Sequence, residues 1–173
     1  MIDSSRIAEK FLQKYRFRMV IPYLKGDVLD FGGNKGELRS YVKGNYTVMN
    51  YDHTALEGMT FDTIVALAVL EHIHVAEIFE IFKKFKISLR PHGRIFLTTP
   101  TRAAKPILEL LAHMSILDKE NITEHKHYWN RQELYDLADK SGFIVKKYKK
   151  FQFGMNQLAV LEHASTPELP AIS

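Results

Sequence analysis

Apolar residues along this chain fall into two patterns. Short continuous runs at Val28–Phe31, Phe61–Val69 and Arg94–Thr99 read as strands covered on both faces. Longer stretches repeat at helical spacing. Residues 4–24 do so through Ile7, Phe11, Leu12, Tyr15, Met19 and Val20, with Ser4 or Ser5 as cap and Pro22 and Gly26 as the stop. His74–Leu89 does so through Ile78, Phe79, Ile81, Phe82 and Phe85, and Arg131–Ser141 through Leu134, Leu137 and Ala138, ending at Gly142. Thr123 or Asn130 suits the cap ahead of that last helix. Tyr46–Tyr51 alternates and predicts a second strand ending at Asp52. A short helix is expected at Glu37–Val42, stopped by Gly44-Asn45, and Pro91-His92-Gly93 predicts a turn. Phe143–Phe153 and Met155–Leu161, joined through Gly154, predict an antiparallel hairpin. Residues 101–127 are less regular, apart from a helix rich in Leu and Met at Ile107–Leu117.

Strands alternating with helices, then a hairpin, predict an α/β fold: a Rossmann-like three-layer sandwich. Its sheet should be mostly parallel, with one antiparallel edge partner from the C-terminal hairpin. A length of 173 residues favours one domain over 1–173. Within it we expect an N-terminal helix at 4–24, a substrate lid at 101–128 and a loose tail at 164–173.

Composition narrows the classes. Apolar residues at 46% and aromatics at 12% suffice for a packed core, which argues against a disordered chain. No apolar run is long enough to cross a membrane, and the N-terminus has no secretory apolar segment, so the expected location is the cytoplasm. The absence of cysteine excludes disulfides, thiolate metal sites and a cysteine nucleophile. The net charge of +4 gathers partly at Lys83, Lys84 and Lys86 and at Lys146, Lys147, Lys149 and Lys150. A nucleic-acid partner would use such clusters, but a solvated helix face and an exposed strand explain them more simply.

The segment Gly26-Asp-Val-Leu-Asp-Phe-Gly-Gly-Asn-Lys-Gly36 carries the strongest chemical signal. A buried strand runs into a turn where Gly32, Gly33 and Gly36 let the backbone approach a ligand. A helix start behind them would offer free N–H groups to a polar or anionic group. Asp52 follows Gly32 by twenty residues, and a carboxylate there can accept both hydroxyls of a ribose. Asp30, at the end of the first strand, would face a cofactor amino group or a bound water; a helix or loop cap is the other reading. The arrangement is that of a nucleotide-cofactor site.

Four segments in order resemble class I S-adenosylmethionine-dependent methyltransferases, and within them the small type 11 and type 23 members. They are Val28–Gly36, Val48–Asp52, Phe61–His72 with its Leu70-Glu71-His72, and Leu89–Pro100. Trp129–Leu134 through Gly142-Phe143 extends the likeness, so that it spans about residues 10–163. The resemblance implies S-adenosyl-L-methionine as cofactor, S-adenosyl-L-homocysteine as product and a small-molecule methyl acceptor reacting at O, N or C. It implies cofactor contacts from Asp30, Phe31, Gly32, Gly33, Gly36, Asp52, His53, Ala66 and Leu67. Two departures stand out. Asn34 replaces a usual glycine, though Asn tolerates left-handed backbone. Only nine residues separate Asp52 from Asp62, so the usual third strand and its helix are cut short.

Methyl transfer needs positioning and, for a protonated nucleophile, a base. His72, in a helix opened by Glu71-His72, and His125 and His127 are the candidates; a packing or capping role is the alternative for each. Glu124, His125 and His127 form a weak metal set with no second group of ligands, so no metal is expected. His113 and Met114 would line or cover the pocket, and Arg16 or Arg18 would meet the cofactor carboxylate or stay on a solvated face. No Asn/Asp-Pro-Pro-Tyr/Phe motif is present, which argues against the exocyclic-amine methylation tied to it. A nicotinamide-dependent oxidoreductase shares the glycine turn and distant acid, but no Tyr-x-x-x-Lys pair or substrate domain follows. A non-catalytic or RNA-directed member of the same fold is the third reading.

Overall fold

The computed structural model describes residues 4–50, 56–107 and 126–164. One six-stranded sheet organises them: β1 (Val28–Phe31), β2 (Tyr46–Met49), β3 (Phe61–Leu67), β4 (Leu89–Pro100), β5 (Phe143–Phe151) and β6 (Asn156–His163), in the order β2-β1-β3-β4-β6-β5. β1, β2, β3 and β4 are parallel, and β6 runs antiparallel to both β4 and β5. The antiparallel strand is therefore not an edge partner, as the sequence suggests. It lies between β4 and β5, because the more apolar hairpin strand takes the inner place. β6 is buried along most of its length, whereas β5 alternates with exposed lysines. Charged side chains on an outer strand discourage pairing with another chain. Two of these lysines also have local partners: Lys146 lies 3.6 Å from Glu162, and Lys147 reaches the Tyr23 hydroxyl at 3.2 Å.

Alternate residues of the sheet feed two cores, which gives the expected three layers. On one face Leu29, Phe31, Ile64, Ala66, Ile95 and Leu97 meet α2 (Val75–Ser88) and α3 (Arg131–Lys140). Helix α2 offers Ile78, Ile81, Phe82 and Phe85, spaced to share one side, and α3 offers Leu134, Leu137 and Ala138. On the other face Val28, Val65, Phe96, Leu158 and Val160 meet Val20 and Phe17 of α1 (Ser4–Val20), with Leu38 and Val42. Each fully buried Phe or Leu contributes about 1.5–3 kcal/mol through its apolar surface. Helix α3 starts with a capping box: Asn130 Oδ1 accepts the Glu133 N–H at 3.0 Å, and Glu133 Oε2 accepts the Asn130 N–H at 2.7 Å.

Three local expectations are corrected. The helix expected at 37–42 is a run of turns ending in a short 3-10 helix at Arg39–Tyr41. Positive φ at Asn34 (44°) and Gly36 (67°) stops a regular helix from starting, and the bonds that form span three residues, Arg39 N–H to Gly36 C=O and Val42 N–H to Arg39 C=O. Pro91-His92-Gly93 is not a turn that precedes the strand. It is extra chain within β4, where the pairing passes from Phe61–Leu89 to Thr63–Arg94. The first hairpin strand stops at Phe151, two residues short of its apolar pattern, because Gln152, Phe153 and Gly154 take φ of 51°, 56° and 83° in succession and turn the chain, and the second runs from Asn156 on to His163.

At the amino end of the parallel strands, Arg90 bridges two carboxylates. Its guanidinium donates to Asp62 at 2.6 Å and to Asp27 at 2.8 Å, tying the entries of β1 and β3 to the start of β4.

Candidate active site

The connections of the sheet reverse direction between β1 and β3: β2 lies to one side of this pair and β4 to the other. A crevice at the carboxyl ends of strands flanking such a point is the usual ligand site of open α/β sheets. Two segments border it here, the glycine turn after β1 and residues 67–72 after β3. They touch, since a Cβ on Gly32 would be driven into the Val69 side chain. With φ at 80° as well, position 32 requires glycine. Backbone bonds pin both segments. Gly32 N–H donates to Met49 C=O at 2.7 Å, and Ala68 N–H to Thr98 C=O at 2.8 Å, with Ala68 itself at φ 57°.

Asp30 lies beneath this turn and is buried. A Cβ on Gly33 would collide with its carboxylate, so the glycine lets the backbone close over the acid. Tyr46, entering from β2, donates its hydroxyl to Asp30 Oδ2. Burial holds the Asp30 carboxyl above its ordinary value, the tyrosine hydrogen bond works against that rise, and nearby Glu37 adds to it. The same burial and the same acid raise the Tyr46 phenol well above its usual range. Asn34, exposed and left-handed, is held by its N–H donating to the Asn50 side chain at 3.0 Å. The turn thus survives the change from glycine by using a residue that tolerates this backbone. No α-helix start lies behind it, so its polar offering is the turn's own N–H groups rather than a helix end.

The Leu-Glu-His segment after β3 is a separate 3-10 turn, Leu70–His72, and α2 opens only at Val75 with His74 as its cap. His72 therefore does not open a helix as expected. It is half-buried, and its N–H bonds to Val69 C=O at 3.0 Å. Glu71 is the more unusual neighbour. It is 1% exposed, and burial pushes its carboxyl up to about 7 against the opposing pull of Arg16. Its Oε2 has no hydrogen-bond partner among the described residues. Thr99, at the end of β4, stands close enough to favour the ionised form, yet its hydroxyl is also unpaired there. The Glu71 carbonyl accepts the N–H groups of Lys126 at 2.7 Å and His127 at 3.3 Å, which draws residues 126–129 to the same place. His127 Nε2 lies 3.3 Å from Glu133 Oε2, and its ring meets Trp129 edge-on at 4.9 Å.

Asp30, Phe31, Gly32, Gly33, Gly36, Ala66 and Leu67 thus lie on the two strand ends that border the crevice or on the turn after β1. Phe31 and Ala66 face the core of α2 and α3, so only their backbone is placed to meet a ligand. Asp52, His53, His113, Met114, Glu124 and His125 lie outside the described residues. Sequence reasoning passed over Tyr46 and gave no role to Glu71. Tyr46 carried no signal, since its reach to Asp30 depends on strand pairing. Glu71 did carry one, an acid between the apolar pair Val69-Leu70 and Ile73 that a helix start seemed to explain.

A glycine turn closed over a buried acid at the switch point of a doubly wound sheet defines a nucleotide-cofactor domain. The sequence matches the family described as Methyltransferase domain over residues 6–147, and the chain belongs to that family, within the class I S-adenosylmethionine-dependent methyltransferases. No curated protein matches it. Solved structures share the fold at low identity. Mitomycin 7-O-methyltransferase MmcR is 13% identical with a TM-score of 0.66, covering 88% of this chain and 54% of its own. A SAM-dependent methyltransferase from Archaeoglobus fulgidus is 14% identical at TM-score 0.65, covering 88% of this chain and 93% of its own. Magnesium protoporphyrin IX methyltransferase from Synechocystis, with SAH bound, is 13% identical at TM-score 0.57, covering 91% and 84%. The chain spans about half the length of MmcR and of several other structures that it matches.

The residues present fit the family's cofactor. The cradle is made of glycines whose Cβ atoms would collide with Val69 and Asp30, so the turn stays bare and close to the crevice.

Proposed function

We propose that this chain transfers the methyl group of S-adenosyl-L-methionine to a small-molecule acceptor. The observation that carries this reading is the bare glycine turn over buried Asp30 at the β1–β3 crevice, in a chain of the methyltransferase family. S-adenosylmethionine brings an activated sulfonium methyl, so the protein's task is chiefly orientation. Gly32–Gly36 would lie along the methionine portion, with backbone at Ala66 and Leu67 facing it across the crevice. Asp52, with His53 beside it, would take the ribose hydroxyls. Residues 101–128, which follow β4, would select the acceptor, within one domain spanning 1–173. The named relatives include enzymes acting on mitomycin and magnesium protoporphyrin IX, which supports a small-molecule acceptor.

Calorimetric titration with S-adenosylmethionine, S-adenosylhomocysteine and NAD tests the reading. Binding of the first two and not the third is expected. Asp52→Ala should weaken the S-adenosylhomocysteine complex by at least about tenfold, since a charge-assisted hydrogen bond contributes roughly 1.5–3 kcal/mol. Unchanged affinity would remove the ribose assignment.

A further inference from the structure

Glu71 stands where the chain has just left β3, at the carboxyl end of the sheet that holds the crevice. Three other elements converge on it: Thr99 from the end of β4, Arg16 from α1, and the backbone of Lys126 and His127. A buried carboxyl that served only the fold would have both oxygens paired, because an unsatisfied buried polar atom is costly. Here Glu71 Oε2 and Thr99 Oγ1 are both buried and both without a hydrogen bond among the described residues. The carbonyl of the same residue, by contrast, is doubly satisfied. The backbone is thus fixed, while one side-chain acceptor has no donor among the described residues.

We propose that Glu71 Oε2 receives the proton of the methyl acceptor, and that with the Thr99 hydroxyl it forms a polar subsite for an O–H or N–H group. The inference rests on the methyltransferase reading above and narrows it to a protic nucleophile. In the step, a lone pair on the acceptor's O or N forms the bond to the methyl carbon. The carbon–sulfur bond breaks toward sulfur, leaving a neutral thioether, and the acceptor's proton passes to Glu71, which gives it to solvent after product leaves. Glu71 suits the task because burial brings its carboxyl up to about 7, matched to a base working near neutral pH. Arg16 favours the ionised form of the carboxyl, and the titratable residues Lys126, His127 and His72 lie on the adjoining segments.

The test follows the Glu71 carboxyl by carbon-13 NMR in the S-adenosylhomocysteine complex, with its signal assigned by Glu71→Gln. Phenol and aniline serve as protic probes, and anisole and N,N-dimethylaniline as their methylated controls. At least one protic probe should move the signal and its titration midpoint, while both controls leave them in place. Glu71→Gln should bind that probe at least about tenfold more weakly and hold S-adenosylhomocysteine within about threefold of wild type. The variant should melt no lower than wild type at pH 8, where the wild-type fold carries a buried carboxylate and the amide does not titrate. A signal indifferent to both protic probes, or equally moved by the controls, overturns the proposal. So does equal probe affinity in the variant, or a variant melting far below wild type, which would make Glu71 a structural acid. Failure of wild type to bind S-adenosylhomocysteine would overturn the underlying functional reading instead, before any probe is added.

Discussion

Tyr46 gives its hydroxyl to an acid that the glycine turn has covered, and this pair sets how firmly the turn is held. Because the folded-state Asp30 carboxyl lies above its ordinary value, stability is lost as pH rises from about 3.8 through that raised value. The tyrosine hydrogen bond limits the loss. Tyr46→Phe should therefore cost about 1–3 kcal/mol at pH 8, where a buried carboxylate loses its donor, and less at pH 4, nearer the range in which the raised Asp30 carboxyl takes up its proton. Urea unfolding at the two pH values measures this; an equal loss at both would separate the tyrosine from the acid. At this scale the sequence was partly legible. Gly32 and Gly33 announced a close approach, and the structure shows that each is needed to avoid a protein atom, Val69 or Asp30. The partner of Asp30 was not legible, because it comes from a neighbouring strand sixteen residues away in sequence.

Among the elements, the buried strands were readable because Val28–Phe31 and Phe61–Leu67 are apolar almost throughout. Helices α2 and α3 were readable because their apolar residues recur on one face. The expected helix at 37–42 failed because apolar spacing over six residues says little when left-handed backbone at Asn34 and Gly36 precedes it. His72 was misplaced for a related reason: the 3-10 turn Leu70–His72 stands apart from α2, which needs its own start at His74. The start of α3 gives a prediction at this scale. Glu133 serves the capping box, pairs with Arg102 at 2.6 Å and lies 3.3 Å from His127, so Asn130 helps order a segment that also contacts Glu71. Asn130→Ala should destabilise the protein by about 1 kcal/mol. Chemical denaturation checks the value, and a neutral effect would mean that the cap adds nothing to the fold.

For the whole molecule, the three layers followed from the alternation of strands and helices, but the place of β6 did not. Pairing order is a long-range property, and only the apolar character of β6 against the lysines of β5 hinted at which strand lies inside. The two ends of the sheet divide their work, with the crevice at the carboxyl end and the Arg90 clamp at the amino end. Arg90 holds the Asp27 carboxyl below its ordinary value, so the clamp contributes stability above about pH 3.8 and loses it as pH falls through the lowered value. Arg90→Ala should lower the melting temperature by a constant amount between pH 5 and 8, in a range spanned by roughly neutral conditions, and by less below pH 3.8. A deficit that did not shrink in acid would remove Asp27 from the account. The central claim is the cofactor that the crevice takes, and calorimetry of the intact chain with S-adenosylhomocysteine tests it most directly. Saturable binding at one site per chain, with no competition from NAD, is expected; absence of binding by S-adenosylhomocysteine and S-adenosylmethionine alike would contradict that claim.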